Sequence, residues 1–169
     1  ANLEKEGISI HYKDDVSQIS DNVKVAKITE LLVIYTPAID KNNTEFHFFK
    51  GKGITPLKRS EVLGMITRQS FTIAIAGTHG KTTTATLLAH ILKNSEIDCT
   101  AFLGGVSKDF DSNLVLAKKG NIVIVEADEY DRSFLSLYPD VAVITSIDED
   151  HLDIYENKKS LEYTLKTPF

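Results

Sequence analysis

FTIAIAGTHGKTTTATLLAHILK, residues 71–93, decides the fold. Phe71–Ala76 (FTIAIA) is a short, nearly continuous apolar run, the pattern of a strand covered on both faces in a parallel sheet. Gly77-Thr78-His79-Gly80 breaks it. From Lys81 to Lys93 the apolar residues Leu87, Leu88, Ile91 and Leu92 fall on one helical stripe, and a Lys93-Asn94 stop follows. A strand that empties through a glycine-rich turn into a helix makes an anion cradle. Gly77 and Gly80 let the backbone bend so that successive N–H groups face inward. The helix N-terminus adds its partial positive charge at the same spot. Lys81 is placed to reach the β- and γ-phosphates of a nucleotide, and the Thr82 hydroxyl to ligate Mg²⁺. Gly77, Thr78, His79, Gly80, Lys81, Thr82 and Thr83 are therefore the expected phosphate-binding residues. The loop is shorter than the strict G-x-x-x-x-G-K-[ST] pattern, which would want glycine where Ile75 stands.

Working outward, Leu31–Tyr35 (LLVIY), Asn121–Val125 (NIVIV) and Val141–Thr145 (VAVIT) read as further buried strands. Ser60–Arg68 reads as a helix with Ser60 as its cap and Val62, Leu63 and Ile66 inward. Alternating strands and helices imply an α/β chain with three-layer, mostly parallel sheets. GKGITPLKRS (51–60) reads as a loop, with a domain boundary following near 66–71. This gives a partial Rossmann-like unit over 1–68 and a partial P-loop-type central domain over 69–169. Gly7-Ile8-Ser9-Ile10 reads as a strand from the middle of the first unit, and LEYTLKTPF ends in a helical segment. Both edges lead us to expect a piece of a longer protein.

The 169 residues are 42% hydrophobic and 25% charged, enough apolar material for a core. The net charge of −5 is uneven: residues 1–70 hold 10 basic and 9 acidic side chains, residues 71–169 hold 9 and 15. An acidic second half argues against a nucleic-acid binder, which needs a basic face. No apolar run reaches the roughly 20 residues of a membrane span, and ANLEKEGISI lacks a signal pattern. The single cysteine, Cys99, fits a reducing compartment. The expectation is a soluble cytoplasmic chain.

Two strand ends deliver acids toward the loop. Asn121–Val125 runs into Glu126-Ala127-Asp128-Glu129-Tyr130-Asp131, and Val141–Thr145 leads to Ser146-Ile147-Asp148-Glu149-Asp150-His151-Leu152-Asp153. In open α/β sheets a ligand sits outside the carboxyl ends of the strands. Hard oxygen donors suit Mg²⁺. Glu126 abuts the apolar strand, where an uncompensated carboxylate is costly, so it is the first choice for a metal ligand, ahead of Asp128 and Glu129. His151, in an Asp-His-Leu-Asp run, is the second functional candidate.

Together, GTHGKTTT (77–84), EADEYD (126–131) and SIDEDHLDIY (146–155) resemble the ATP-dependent Mur ligases of peptidoglycan synthesis, and among them the member that adds L-alanine. VIYTPAI (33–39) resembles that family's end-of-N-domain segment, with Tyr35 and Thr36 at its serines, and KRSEVLG (58–64) its linker into the central domain. Ser146 stands where the family shows asparagine. The resemblance implies an enzyme that uses ATP and Mg²⁺ to join L-alanine to the carboxylate of UDP-N-acetylmuramate through an acyl phosphate. It implies catalytic roles for Lys81, Glu126 and His151. Thr82 and Glu126 would hold one Mg²⁺, and Glu126 with His151 another. Thr36, His79, Gly104 and Gly105 would neighbour the muramyl substrate. The family's glycine-rich UDP loop and its C-terminal domain have no counterpart in these residues, so the chain by itself is expected to be catalytically silent. Lys166 is read as an ordinary exposed lysine.

Three alternatives compete. A sibling ligase that adds a preformed peptide shares the central motifs, although the DHLDIY ending and the run Leu135–Pro139 favour alanine. A P-loop kinase or GTPase would need a base-reading Asn-Lys-x-Asp, which the sequence lacks. A nucleotide-binding module without catalysis is the third.

Overall fold

The structure is a computed structural model that describes residues 2–5, 7–127 and 136–146. It divides into two compact units, 1–59 and 60–169.

The first unit contains α1 (Asn2–Lys5), α2 (Asp21–Val25), β1 (Ile34–Tyr35), α3 (Thr44–Gly51) and β2 (Leu57–Lys58), with 3₁₀ turns at Val16–Gln18 and Ile28–Glu30. β1 and β2 pair in parallel, Ile34 with Leu57 and Tyr35 with Lys58, and α3 is the crossover between them. α3 begins where Asn43 accepts the Phe46 N–H at 2.8 Å, and the Asp14 carboxylate accepts the N–H groups of Thr44 and Glu45. These are the orphan donors of a helix first turn, and oxygen caps satisfy them. Those backbone bonds hold the Asp14 carboxyl below its ordinary range, Thr44's N–H above all.

Three expectations for this unit need correction. Gly7–Ile10 is not a strand. Gly7, at φ 85°, closes α1 instead: its N–H reaches the Glu4 carbonyl at 3.0 Å and the Ile8 N–H reaches the Leu3 carbonyl at 3.1 Å, a glycine helix stop. The stretch 51–60 is not all loop either, since it carries β2, and the strand expected over Leu31–Tyr35 is only Ile34–Tyr35.

The second unit contains α4 (Arg59–Thr67, its first residue shared with the boundary), β3 (Phe71–Ala76), α5 (Lys81–Lys93), β4 (Thr100–Ser107), β5 (Ser112–Val115), β6 (Ile122–Glu126) and β7 (Val141–Ile144). They form one sheet in the order β5-β4-β6-β3-β7. Among the described residues all pairings are parallel except the β4–β5 hairpin. The expected α/β class with a mostly parallel sheet is thus what the chain adopts.

Strand alternation divides the core. On one face Ile75, Cys99, Ala101, Leu103, Val115 and Ile124 pack with Ala85 and Ala89 of α5. On the other, Ala74, Ala76, Val125, Ala127 and Leu137 pack with Leu63 of α4. Successive residues of β3 point to opposite layers, as a pleated strand requires. The α5 stripe is rotated from expectation. Ala85 and Ala89 are its buried residues, with Leu88 and Leu92 beside them, whereas Leu87 and Ile91 are 59% and 54% exposed. Alanines four apart bring the helix axis close to the sheet, and that fixes which flank carries the leucines.

α4 also differs. Ser60 lies inside its first turn rather than capping it, and Ile66 is exposed, while Gly64 and Thr67 are the buried residues. A Cβ at Gly64 would lie 2.1 Å from the Ser136 carbonyl oxygen. The Thr67 hydroxyl accepts the Tyr138 N–H at 3.2 Å, and its carbonyl accepts the Thr72 hydroxyl at 3.1 Å. Polar stitching of this kind, together with Leu63, ties α4 to the central sheet. That is why the units divide at 59/60 rather than at the expected 68/69. Among the described residues no helix is long and apolar enough to cross a membrane.

Candidate functional site

β3 is flanked by β6 and β7, and its carboxyl end opens into the phosphate loop between them. The Ile75 departure has a plain cause. Ile75 is fully buried, pairs with Glu126 across the β3–β6 ladder, and its carbonyl accepts the Ala127 N–H at 2.9 Å. The position that the longer pattern gives to a loop glycine is here still strand, so the turn begins at Gly77. Gly77 (φ 122°) and Gly80 (φ 79°) both occupy the left-handed half of φ space, which only glycine enters at little cost. Gly80 is the N-cap of α5 and carries no side-chain cap bond.

Thr145 and Ser146, which follow β7, grip the loop. Ser146's carbonyl accepts the Thr78 N–H at 3.0 Å, and its hydroxyl accepts the His79 N–H at 3.0 Å and pairs with the Thr78 hydroxyl at 3.0 Å. Thr145's hydroxyl donates to the carbonyls of Ala76, at 3.1 Å, and His79. The expected cradle residues therefore divide. Thr78 is buried with its backbone donor engaged by the protein, and the His79 side chain is exposed while its N–H is engaged. Sequence reasoning did not find these partners, and assigned no function to Thr145.

Lys81 opens α5, and its Nζ donates to the Gly77 carbonyl at 2.7 Å, folding the cation back over the loop. Thr82 and Thr83 are exposed on the same turn. The Thr82 hydroxyl donates to Glu126 Oε2 at 2.9 Å, so two of the three residues expected as metal ligands meet, although they lie 44 positions apart. Glu126 ends β6, and its Oε1 accepts the Gly104 N–H at 2.6 Å. A Cβ on Gly104 would stand 2.6 Å from Glu126 Oε2, so the glycine is what lets the carboxylate lie against β4. Gly105 has nothing within 4 Å of the equivalent point. An open groove of about 380 Å³ adjoins, lined by Thr82, Thr83, Thr86, Leu87, Ser107, Lys108 and Asp109.

Among the described residues no three His, Cys, Asp or Glu side chains converge. His151, Asp128, Glu129 and Lys166 lie outside the described residues. Thr36 belongs to the first unit, exposed just after β1. A hydroxyl and a carboxylate beside a helix N-terminus and a lysine form a hard-oxygen donor set facing a phosphate cradle, the chemistry a magnesium–nucleotide pair requires.

The family model described as the Mur ligase middle domain matches residues 75–166. The UDP-N-acetylmuramate–L-alanine ligase of Porphyromonas gingivalis is 51% identical over 153 residues, covering 90% of this chain and 33% of that protein. The ligase of the same name from Christiangramia forsetii is 48% identical over 164 residues, covering 97% of this chain and 36% of the other. The chain thus spans about a third of the length of the curated relatives it matches. Among solved structures, UDP-N-acetylmuramate–alanine ligase from Thermotoga maritima superposes with a TM-score of 0.77 at 30% identity, covering 96% of this chain and 36% of that one. UDP-N-acetylmuramate:L-alanyl-γ-D-glutamyl-meso-diaminopimelate ligase from Neisseria meningitides superposes equally well, 0.77 over 96% of this chain and 53% of that one, at 23% identity, a likeness of fold.

Proposed function

The chain belongs to the Mur ligase family, and we propose that it carries the phosphate-handling site of a cytoplasmic ligase that uses ATP and Mg²⁺ to join L-alanine to the carboxylate of UDP-N-acetylmuramate. The observation that carries this reading is the Thr82–Glu126 contact at the mouth of the phosphate loop. It is supported by the roughly 50% identity to ligases named for that reaction.

The residues fit the groups they would hold. Thr82 and Glu126 offer a neutral and an anionic oxygen for a divalent cation, and Gly104 keeps the carboxylate oriented. His151 is assigned as a further ligand on the resemblance alone. ATP with Mg²⁺ supplies a γ-phosphoryl group that activates the substrate carboxylate for attack by the alanine amine. Everything else falls to the protein. Lys81 turns from the Gly77 carbonyl onto the phosphates and offsets their charge as it builds. Gly80 and the first turn of α5 direct N–H dipoles at the same oxygens. Glu126 fixes the cation relative to the loop, so the reacting atoms are held in register rather than found by diffusion. His79, exposed on the turn, is assigned to the substrate side.

The test is to incubate the intact protein with ATP, Mg²⁺ and UDP-N-acetylmuramate, offering either L-alanine or the peptide L-alanyl-γ-D-glutamyl-meso-diaminopimelate, and to weigh the products. We expect the alanyl product. Product formed only from the peptide would assign the sibling activity, and no product with either would remove the ligase reading.

A further inference from the structure

Ordering a glycine-rich turn costs backbone entropy, and a ligand that must order its own site pays for it in affinity. In this protein the turn is held by groups from the two residues that follow β7. Four polar groups of the loop are engaged there: the N–H of Thr78, the N–H and carbonyl of His79, and the hydroxyl of Thr78. The partners in these bonds are Thr145 and Ser146. The ladder itself stops at Ala76–Ile144, so these contacts extend beyond the sheet as hydroxyl and carbonyl bonds. The fit is close: a Cβ at Gly77 would lie 2.4 Å from Thr145 Oγ1 and 2.8 Å from the Ser146 carbonyl oxygen.

We propose that Thr145 and Ser146 are positioning residues, a hydroxyl latch that holds the phosphate loop in its nucleotide-accepting shape before nucleotide arrives. The inference rests on the nucleotide-binding reading above and adds to it a division of labour. Thr78 and His79, in the first half of the loop, are anchored to the two residues that follow β7. Contact with phosphate belongs to Gly80 and the residues that open α5. The two hydroxyls act through the loop and touch no reacting atom.

Three variants separate the hydroxyls from the fold. Ser146→Ala removes the acceptor of the His79 N–H and the partner of the Thr78 hydroxyl, but keeps the carbonyl that accepts the Thr78 N–H. Thr145→Val removes both hydroxyl donations at nearly constant shape, and Thr145→Ser retains them. Two quantities are read in the intact protein: the Kd of ADP with Mg²⁺, and amide exchange in the nucleotide-free state across residues 71–82. Each deleted hydroxyl should weaken ADP binding roughly three- to tenfold, the worth of one or two neutral hydrogen bonds. Exchange at Thr78 and His79 should speed up in Ser146→Ala and Thr145→Val, with β3 amides unchanged. Thr145→Ser should stay within about twofold of wild type. Unchanged or tighter ADP binding in both deletions would overturn the latch. So would unchanged exchange at Thr78 and His79, or equal acceleration through β3, which would make the hydroxyls general supports of the fold. If wild type binds no nucleotide, the phosphate-loop reading fails, while the exchange data still decide whether the latch exists.

Discussion

Gly104→Ala isolates one geometric element of the site. The added Cβ would lie 2.6 Å from Glu126 Oε2, 3.2 Å from Cδ and 3.4 Å from Oε1. Ordinary contact begins near the last of these distances, so the carboxylate has to retreat by about 0.8 Å or swing away. Either movement breaks the 2.6 Å bond from the Gly104 N–H and the 2.9 Å bond from the Thr82 hydroxyl. Backbone strain is no part of the effect, because Gly104 is not among the positive-φ glycines. Hydrogen bonds to a charged group contribute about 1.5–3 kcal/mol, which corresponds to roughly ten- to a hundredfold in the affinity for Mg²⁺ in the presence of nucleotide. Glu126 is partly exposed and can turn to water, so fold stability should change by less than about 1 kcal/mol. Calorimetric titration of Mg²⁺ against the protein with a non-hydrolysable ATP analogue reads the first quantity, and thermal unfolding the second. Gly105→Ala is the internal control, since a Cβ there meets nothing within 4 Å. Equal Mg²⁺ affinity in Gly104→Ala and wild type would refute the reasoning.

Lys81→Ala removes the cation folded over Gly77, and ATP turnover should fall by roughly a hundredfold or more with little change in melting temperature, as steady-state kinetics and a thermal melt will report. Asp98 accepts from Lys93 Nζ at 2.6 Å and from the N–H groups of Cys99, Lys118 and Lys119. The Lys93 bond above all holds its carboxyl well below the ordinary 3.8. A depressed folded pKa means stability that is present above 3.8 and lost as pH falls further, so Asp98→Asn should lower the melting temperature at pH 7 and progressively less below about pH 4. Cys99 is fully buried, and burial pushes its thiol up. A thiol reagent at pH 7–8 should therefore modify it only on unfolding, so fast native labelling would contradict the packing under α5.

The sequence makes β3, the loop and α5 legible because each is a local signal: an apolar run, two glycines, and a helix that starts at Lys81 and ends at Lys93 as read. Glu126 is legible for the same reason, as the first charge after a buried strand. What stays hidden depends on pairing between distant segments. The β4–β5 hairpin escapes notice because Gly104-Gly105 interrupts its apolar pattern. The cue available was the polar turn before Ser112, where Asp111 adopts φ 48°. Gly104 reads as a glycine beside substrate until the Glu126 carboxylate is seen against its backbone. Thr145 looks like the end of a strand, and Ser146 stands out only as a departure from the family's asparagine. Their role appears only once β7 lies beside β3 and brings two hydroxyls onto the loop. Leu87 and Ile91 mislead for a related reason: helical spacing places residues on a stripe, but the neighbouring sheet selects which stripe is covered.

The central claim is that Glu126 and Thr82 hold a divalent cation beside the phosphate loop. Glu126→Gln tests it most directly, since the amide keeps the shape and an acceptor for the Gly104 N–H but removes the charge. Mn²⁺ binding, followed by its electron paramagnetic resonance signal in the presence of a non-hydrolysable ATP analogue, should weaken at least about tenfold in the variant, with an unchanged melting temperature. Identical Mn²⁺ titrations of variant and wild type would contradict the account and move the metal to other side chains.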